Sequence, residues 1–267
     1  MIFYYQAFFY LLFKNIDKGV SFCETAGSYL PIKIKMPNYR HIIWDFNGTL
    51  LDDLQYNVDT FNKIAEEYGL AKVSLEKYRQ EFSFPVVDFY KKCGFDFSKL
   101  DFNVVGNRFI EAYKANFSSC RIYDAVPEVL EGLRALGFGQ SLLSSCMDSD
   151  LRDAVDKFGL SGFFSPVDGL PEHGGSKRRL AQLHVGEIGI PKSEIVLVGD
   201  TLHDFAAASA AGVDCLLLAC GHNSRQRLQS AAVPVFDNHK QLFAYLANSC
   251  AFSAAGAKAR QCAAKIR

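Results

Sequence analysis

The chain has no net charge: 29 Lys and Arg are balanced by 29 Asp and Glu across 267 residues. That absence removes bulk electrostatic attraction to nucleic acid or an acidic membrane, and neither is expected as a partner. No Cys-x-x-Cys pair occurs. The eight cysteines stand at 23, 93, 120, 146, 215, 220, 250 and 262, a spacing that fits no zinc site. Scattered in this way they read as buried, reduced thiols of a cytoplasmic protein. The N-terminal stretch "MIFYYQAFFYLLFK" is apolar for 13 residues before Lys14, short of the roughly 17–25 that a spanning helix needs. It also lacks the basic leader and small-residue cleavage site of a signal peptide. Residues 1–36 therefore read as an extension outside the fold, with Met36 opening a natural domain start, "MPNYRHIIWDF". No internal repeat or low-complexity tract appears. The small, basic tail 249–267 reads as a frayed or disordered end.

What is present is ample core material. Apolar residues make up 49% of the chain and Phe alone occurs 23 times, enough for one large domain with a smaller one attached. Short apolar runs end in polar or glycine residues: "HIIWDF", "QSLLSS", "FFSPVDG", "EIVLVGD" and "DCLLLAC". Their length suits strands buried on both faces. Helical patterns lie between them. "VPEVLEGLRALG" places Val129, Leu133 and Leu136 on one face, and "DSDLRDAVDKFG" offers Asp148 or Ser149 as a cap and stops at Gly159. "SKRRLAQLHVGEIG" and the small-sided "DFAAASAAG" follow. Strand alternating with helix predicts an α/β fold with a doubly wound, Rossmann-like parallel sheet. Between the first two strands lies a helical detour without strand signal. Leu54, Val58, Phe61, Ile64, Ala65 and Tyr68 form one apolar face there; Val104, Val105, Phe109 and Ala112 form another. The expected organisation is a core from 37–55 and 120–248 with a helical cap at 56–119.

Ligands of doubly wound sheets bind at the carboxyl ends of the strands. Four chemical signals stand at those ends: Asp45 after the first strand, Ser144 and Ser145 after "QSLL", Lys177 opening a helix, and Asp200 with Asp204 in "GDTLHD". A carboxylate attacks phosphorus only where the phosphate's charge is neutralised. Lys177 supplies positive charge and Ser144 a hydroxyl donor. Asp45, Asp200 and Asp204 form a hard oxygen set suited to Mg²⁺. Gly48 lets the chain turn tightly beside a phosphate, and Thr49 ties that turn. The combination points to phosphoryl transfer through an aspartyl-phosphate.

With "DFNGT", "LLSS", Lys177 and "GDTLHD" in order, residues 37–247 resemble the haloacid dehalogenase superfamily in its phosphoglycolate phosphatase-like branch. The resemblance implies Asp45 as nucleophile and Asp45, Asp200 and the main-chain carbonyl of Asn47 as Mg²⁺ contacts. Asp204 would hold a metal-bound water or orient Lys177, and Ser144 and Lys177 would bind the phosphoryl group of a small phosphorylated metabolite. A monomer or a homodimer is expected. One position departs from the pattern. Where such phosphatases carry an aspartic acid that protonates the leaving group, this chain has Asn47, which cannot exchange a proton at neutral pH. Three outcomes follow: a substrate with a good leaving group, a proton from elsewhere such as His203, or a slow or non-catalytic phosphate-binding protein. A phosphonatase-like carbon–phosphorus hydrolase is a further alternative; it would need a cap lysine, for which Lys63, Lys72, Lys91 and Lys92 are available. A dehalogenase fits the metal–phosphate motifs less well. His173, His203 and His222 read as surface or supporting residues. "EFSFPVVDFYKK" is the candidate specificity loop, with Lys91 or Lys92 placed to meet a carboxylate.

Overall fold

The computed structural model describes the backbone of residues 21–25 and 28–32, and residues 38–115, 117–172 and 174–249 with their side chains. The apolar stretch at 1–14, His173 and the tail beyond 249 lie outside the described residues. The first 37 residues form a unit of their own, within which β1 (Ser21–Thr25) and β2 (Ser28–Ile32) pair as an antiparallel hairpin.

In the unit from Asn38 onward, six parallel strands form the sheet: β3 (His41–Trp44), β6 (Gly139–Met147), β7 (Val167–Leu170), β8 (Ile195–Gly199), β9 (Asp214–Leu218) and β10 (Val235–Phe236). Their order is β10-β9-β8-β3-β6-β7. The side-chain period of two explains the composition of these strands. Ile42, Trp44, Leu142, Val196 and Val198 belong to one buried cluster, while Ile43, Leu143, Ile195 and Leu197 belong to another. Both faces are covered, so the strands read as unbroken apolar runs. After β3 the chain turns to β6 on one side and later returns to β8 on the other, so Asp45 emerges at the switch point of the sheet. Its amide donates to the Val198 carbonyl at 2.8 Å, extending the β3–β8 ladder by one residue.

The detour after β3 is helical, as predicted: α1 (Leu54–Glu67), α2 (Leu75–Glu81), α3 (Val86–Lys92) and α4 (Phe102–Ala115). Leu54, Val58, Phe61, Ile64 and Ala65 enter its own core together with Tyr78, Phe89 and Val105, and Tyr68 packs at the edge. Val104 does not: it is 60% exposed. Consecutive helical residues point about 100° apart, and α4 turns Val105 rather than Val104 toward α1. Two strands of two residues each, β4 (Leu51–Asp52) and β5 (Arg121–Ile122), pair antiparallel where the chain leaves and re-enters the sheet domain.

The core helices are α5 (Val126–Ala135), α6 (Asp148–Lys157), α7 (Lys177–Ile188) and α8 (Leu202–Ala211). Two sequence expectations need correction. Leu136 is 45% exposed because it stands past the last turn of α5, whose buried face is Val126, Val129, Leu130 and Leu133. Neither Asp148 nor Ser149 caps α6; Met147 is the N-cap residue, and the Asp148 carboxylate instead accepts from the Gly169 amide at 2.9 Å.

Candidate active site

Each strand end delivers one element of the site. The Asp45 carboxylate is buried beside the Lys177 ammonium, which also donates to Asp204 at 2.5 Å. Lys177 opens α7, so its backbone is fixed by the helix while its side chain reaches across to β3. Asp204 completes a capping box at the start of α8: its Oδ2 accepts from the Thr201 amide at 2.9 Å and the Thr201 hydroxyl at 2.6 Å. One carboxylate thus holds both its helix and the lysine. Asp200 follows β8 and accepts from the Thr49 hydroxyl at 3.0 Å and the His222 amide at 2.5 Å. Ser144 is buried near the end of β6. Its Oγ accepts from the Cys146 amide at 3.2 Å, leaving the hydroxyl hydrogen to donate. Ser144, Ser145, Asp45, Asn47, Lys177 and Asp200 all line one cavity.

The turn after Asp45 explains Gly48. Its φ is +73°, and a Cβ there would stand 2.3 Å from Asp200 Oδ2 and 2.4 Å from His222 Cδ2. Gly48→Ala is therefore expected to cost more than about 1 kcal/mol and to displace Asp200, seen as a lowered Tm together with lost activity.

The residues that sequence reasoning missed surround Asn47. Asp53 is fully buried at the N-cap of α1 yet makes no capping bond. It turns back instead. Its Oδ1 accepts from the Gly48 amide at 2.9 Å and meets His222 Nε2 at 3.2 Å, while its Oδ2 accepts from Asn47 Nδ2 at 2.9 Å and the Tyr113 hydroxyl at 2.6 Å. The second Asn47 N–H goes to Tyr113 Oη at 3.0 Å. A carboxylate can only accept, so the amide orientation is determined: both N–H groups face Asp53 and Tyr113, and Oδ1 is left as an acceptor. His222, expected at the surface or in support, is buried, with Nδ1 3.2 Å from the Tyr78 hydroxyl. A doublet, Asp52-Asp53, five and six residues after Asn47, is the sole sequence trace of this network.

Charge in the site is uneven. Burial opposes ionisation of His222, but Asp53 at its ring and Asp200 nearby hold the imidazolium up to about 9. Burial likewise works against Asp53, and His222 keeps it below the usual carboxylate range. Asp45 and Asp200 are pushed up, first by burial; Lys177 counters this at Asp45 and His222 at Asp200. Burial drives His203 down to about 4, which leaves it without a proton to give near neutrality. Four buried carboxylates (Asp45, Asp53, Asp200, Asp204) share two buried cations (Lys177, His222), so ionising all four would leave a deficit of two positive charges. Asp45, Asp200 and Asp204 each offer an oxygen within 4.8 Å of the others. A divalent, oxygen-seeking cation fits that set in both charge and donor type.

The lysines proposed for phosphonatase chemistry do not reach this place. Lys63, Lys72, Lys91 and Lys92 are exposed, and none lines the cavity. Lys91 leans toward Asp88 on its own helix, away from the groups that line the cavity. Phe84 of the same loop does line the cavity, stacked on His203 with ring centroids 4.3 Å apart. Arg79 and Asn223 tie this part of the insertion to the loop carrying His222, through Gly221 O at 3.0 Å and Phe82 O at 3.0 Å.

A six-stranded parallel sheet with an acidic site at its switch point and a helical insertion after the first strand defines a class, and comparison with known proteins gives the same one. Residues 42–218 match the family model for haloacid dehalogenase-like hydrolases, and the chain belongs to that family. Among its relatives is phosphoglycolate phosphatase 1 of Pseudomonas aeruginosa, 25% identical over 76% of this chain and 78% of the relative. A 5'-nucleotidase of the same organism is 24% identical over 72% of this chain and 88% of its own length. The fold is shared with a haloacid dehalogenase-like family hydrolase from Streptococcus pneumoniae, at a TM-score of 0.65 and 16% identity over 79% of this chain and 99% of that one.

Proposed function

We propose that the chain is a Mg²⁺-dependent phosphomonoester hydrolase that works through an aspartyl-phosphate on Asp45, on a small phosphorylated metabolite. The observation that carries this reading is the buried triangle of Asp45, Lys177 and Asp204 at the sheet's switch point, with Asp200 beside it. Asp45 attacks phosphorus, Lys177 and the Ser144 hydroxyl hold phosphoryl oxygens, and Asp204 orients Lys177. Asp45, Asp200 and the Asn47 carbonyl would hold the metal, which when bound neutralises charge on the transferred group. Asn47 Oδ1 can accept a hydrogen bond from an attacking water but cannot take its proton. The phosphoglycolate phosphatase relatives support the reaction class.

The insertion, about 56–119, acts in this reading as a cap over a core made of 37–55 and 120–248, with 1–36 and 249–267 outside it. A cytoplasmic site of action agrees with the five cysteines among the described residues, all of them free.

Phosphate release from a panel of phosphomonoesters, with Mg²⁺ and with chelator, tests the proposal. Wild-type activity should vanish with chelator and return with Mg²⁺. Asp200→Ala should need at least about tenfold more Mg²⁺, because it removes an anionic ligand of a hard cation. Activity indifferent to chelator would sink the metal assignment.

A further inference from the structure

The cavity that opens on Asp45 is large and much of its lining is aromatic. It holds about 710 Å³, and Tyr78, Phe82, Phe84, Phe102, Phe109 and Phe117 stand along it. A two-carbon phosphate ester would leave most of that space filled with water against apolar surface. The wall also offers poor recognition of a second acid. Lys114 is paired with Asp150 at 2.7 Å, Lys157 lies over the rings of Phe117 and Phe158 at 5.2 and 5.7 Å, and Lys177 is held by Asp45 and Asp204. Neutral polar groups among the lining residues include three amides of the insertion, Asn57, Asn103 and Asn107, besides the hydroxyls of Ser144, Ser145 and Thr201 nearer Asp45. Rings, spare volume and amides suit a flat, uncharged aromatic group with polar edges.

Asn47 selects the same class by another route. Both its N–H groups are consumed by Asp53 and Tyr113, so it neither carries nor relays a proton to a departing oxygen. The oxygen must leave as an anion. For a phenolic hydroxyl, with a pKa of about 10 as in tyrosine, that is far easier than for an alkyl alcohol, whose pKa lies near the value of about 15.7 for bulk water.

We propose that the substrates of this site are aryl phosphomonoesters, phosphate esters of phenolic or other aromatic hydroxyl groups, with the ring held by the aromatic wall of the insertion. The inference rests on the phosphomonoesterase reading above. An Asp45 oxygen forms a bond to phosphorus as the P–O bond to the ring breaks. The bonding pair leaves on the aryl oxygen, which takes its proton from solvent. Water then attacks phosphorus, the bond to Asp45 breaks with its electron pair returning to the carboxylate, and the water's proton passes to solvent.

Four esters separate ring recognition from leaving-group chemistry: 1-naphthyl phosphate (ring, good leaving group), benzyl phosphate (ring, poor leaving group), acetyl phosphate (no ring, good leaving group) and phosphoglycolate (neither). With Mg²⁺, kcat/KM for 1-naphthyl phosphate should exceed that for phosphoglycolate by at least about a hundredfold, the lower end of what a missing general acid is worth. Benzyl phosphate should compete with KM-like affinity for the naphthyl ester but turn over at least about a hundredfold more slowly. Acetyl phosphate should turn over readily with a KM at least about tenfold higher. Gly106 lines the cavity from α4 with open space around its Cα; Gly106→Trp should lower the ratio of naphthyl to acetyl kcat/KM by about tenfold or more. Acetyl phosphate turnover without a preference for the naphthyl ester, or phosphoglycolate as the better substrate, overturns the aryl class and leaves the phosphatase reading standing. No turnover of any of the four overturns both.

Discussion

Asp45→Asn is expected to reduce kcat to background while the protein stays folded. An amide in the carboxylate's place has no oxygen able to form the mixed anhydride with phosphorus. Removing a covalent nucleophile from an assembled site can cost about 10⁶ in kcat, so the variant should fall at or below the detection limit of a phosphate-release assay. The structure gives reasons for the fold to survive. Asp45 lies in a buried acidic cluster where burial already opposes its charge. Lys177 keeps Asp204 as counter-charge, so no buried ammonium is left alone, the circumstance that makes broken pairs expensive. The Asp45 amide bond to Val198 O belongs to the backbone and persists. Circular dichroism and Tm should therefore match the wild type, and a beryllium fluoride adduct should form on the wild type alone. Wild-type kcat in Asp45→Asn would end the covalent mechanism. A collapsed Tm would instead mean that the charge holds the site together.

The parts of this site that the sequence revealed are those fixed by single elements. Asp45, Asp200, Asp204 and Lys177 each sit where a strand stops or a helix starts, and apolar runs such as "EIVLVG" mark those places without tertiary information. The parts it concealed depend on contacts far apart in the chain. Asn47 meets Tyr113 across 66 positions and Asp53 meets His222 across 169. Asp53 was further disguised by its place: an acid before a helix looks like an N-cap, and only the folded turn shows it bonded to Gly48 and Asn47 instead. The β4–β5 ladder was invisible because two residues carry no period. Val104 and Leu136 were misplaced because a helical pattern fixes neither the rotation of its helix nor its last turn to better than a residue.

Asn47→Asp is expected to turn the enzyme toward alkyl phosphates, and Asp53 should decide whether it does. In the wild type the Asn47 Nδ2 to Asp53 Oδ2 bond is 2.9 Å. A second carboxylate at that distance cannot ionise alongside the first, so the pair would keep one proton near neutral pH, as in an aspartic dyad. Asn47 lines the cavity and Asp53 does not, so the proton is available to a departing alkoxide when it sits on the residue-47 oxygen that replaces Asn47 Oδ1. General acid help is worth about 10²–10⁴-fold, and kcat/KM for benzyl phosphate should rise within that range while the naphthyl ester, which needs no acid, changes little. The gain should fade as pH rises through the upper pKa of the pair. Asn47→Asp combined with Asp53→Asn reverses the arrangement: the amide introduced by the second substitution would donate to the new carboxylate, as would Tyr113, and both bonds favour the ionised form. The double variant should lose most of the alkyl gain at the same pH. Because Asn-Gly sequences deamidate, wild-type samples need a peptide mass check before the slope of kcat/KM against leaving-group pKa is measured. Equal alkyl gains in the single and double variants would show that the proton does not depend on Asp53. No gain in either, with a flat slope in the wild type, would mean that another group already protonates the leaving oxygen. His222, held as an imidazolium by Asp53 and Asp200, would then be the residue to replace, ahead of His203, whose burial keeps it neutral.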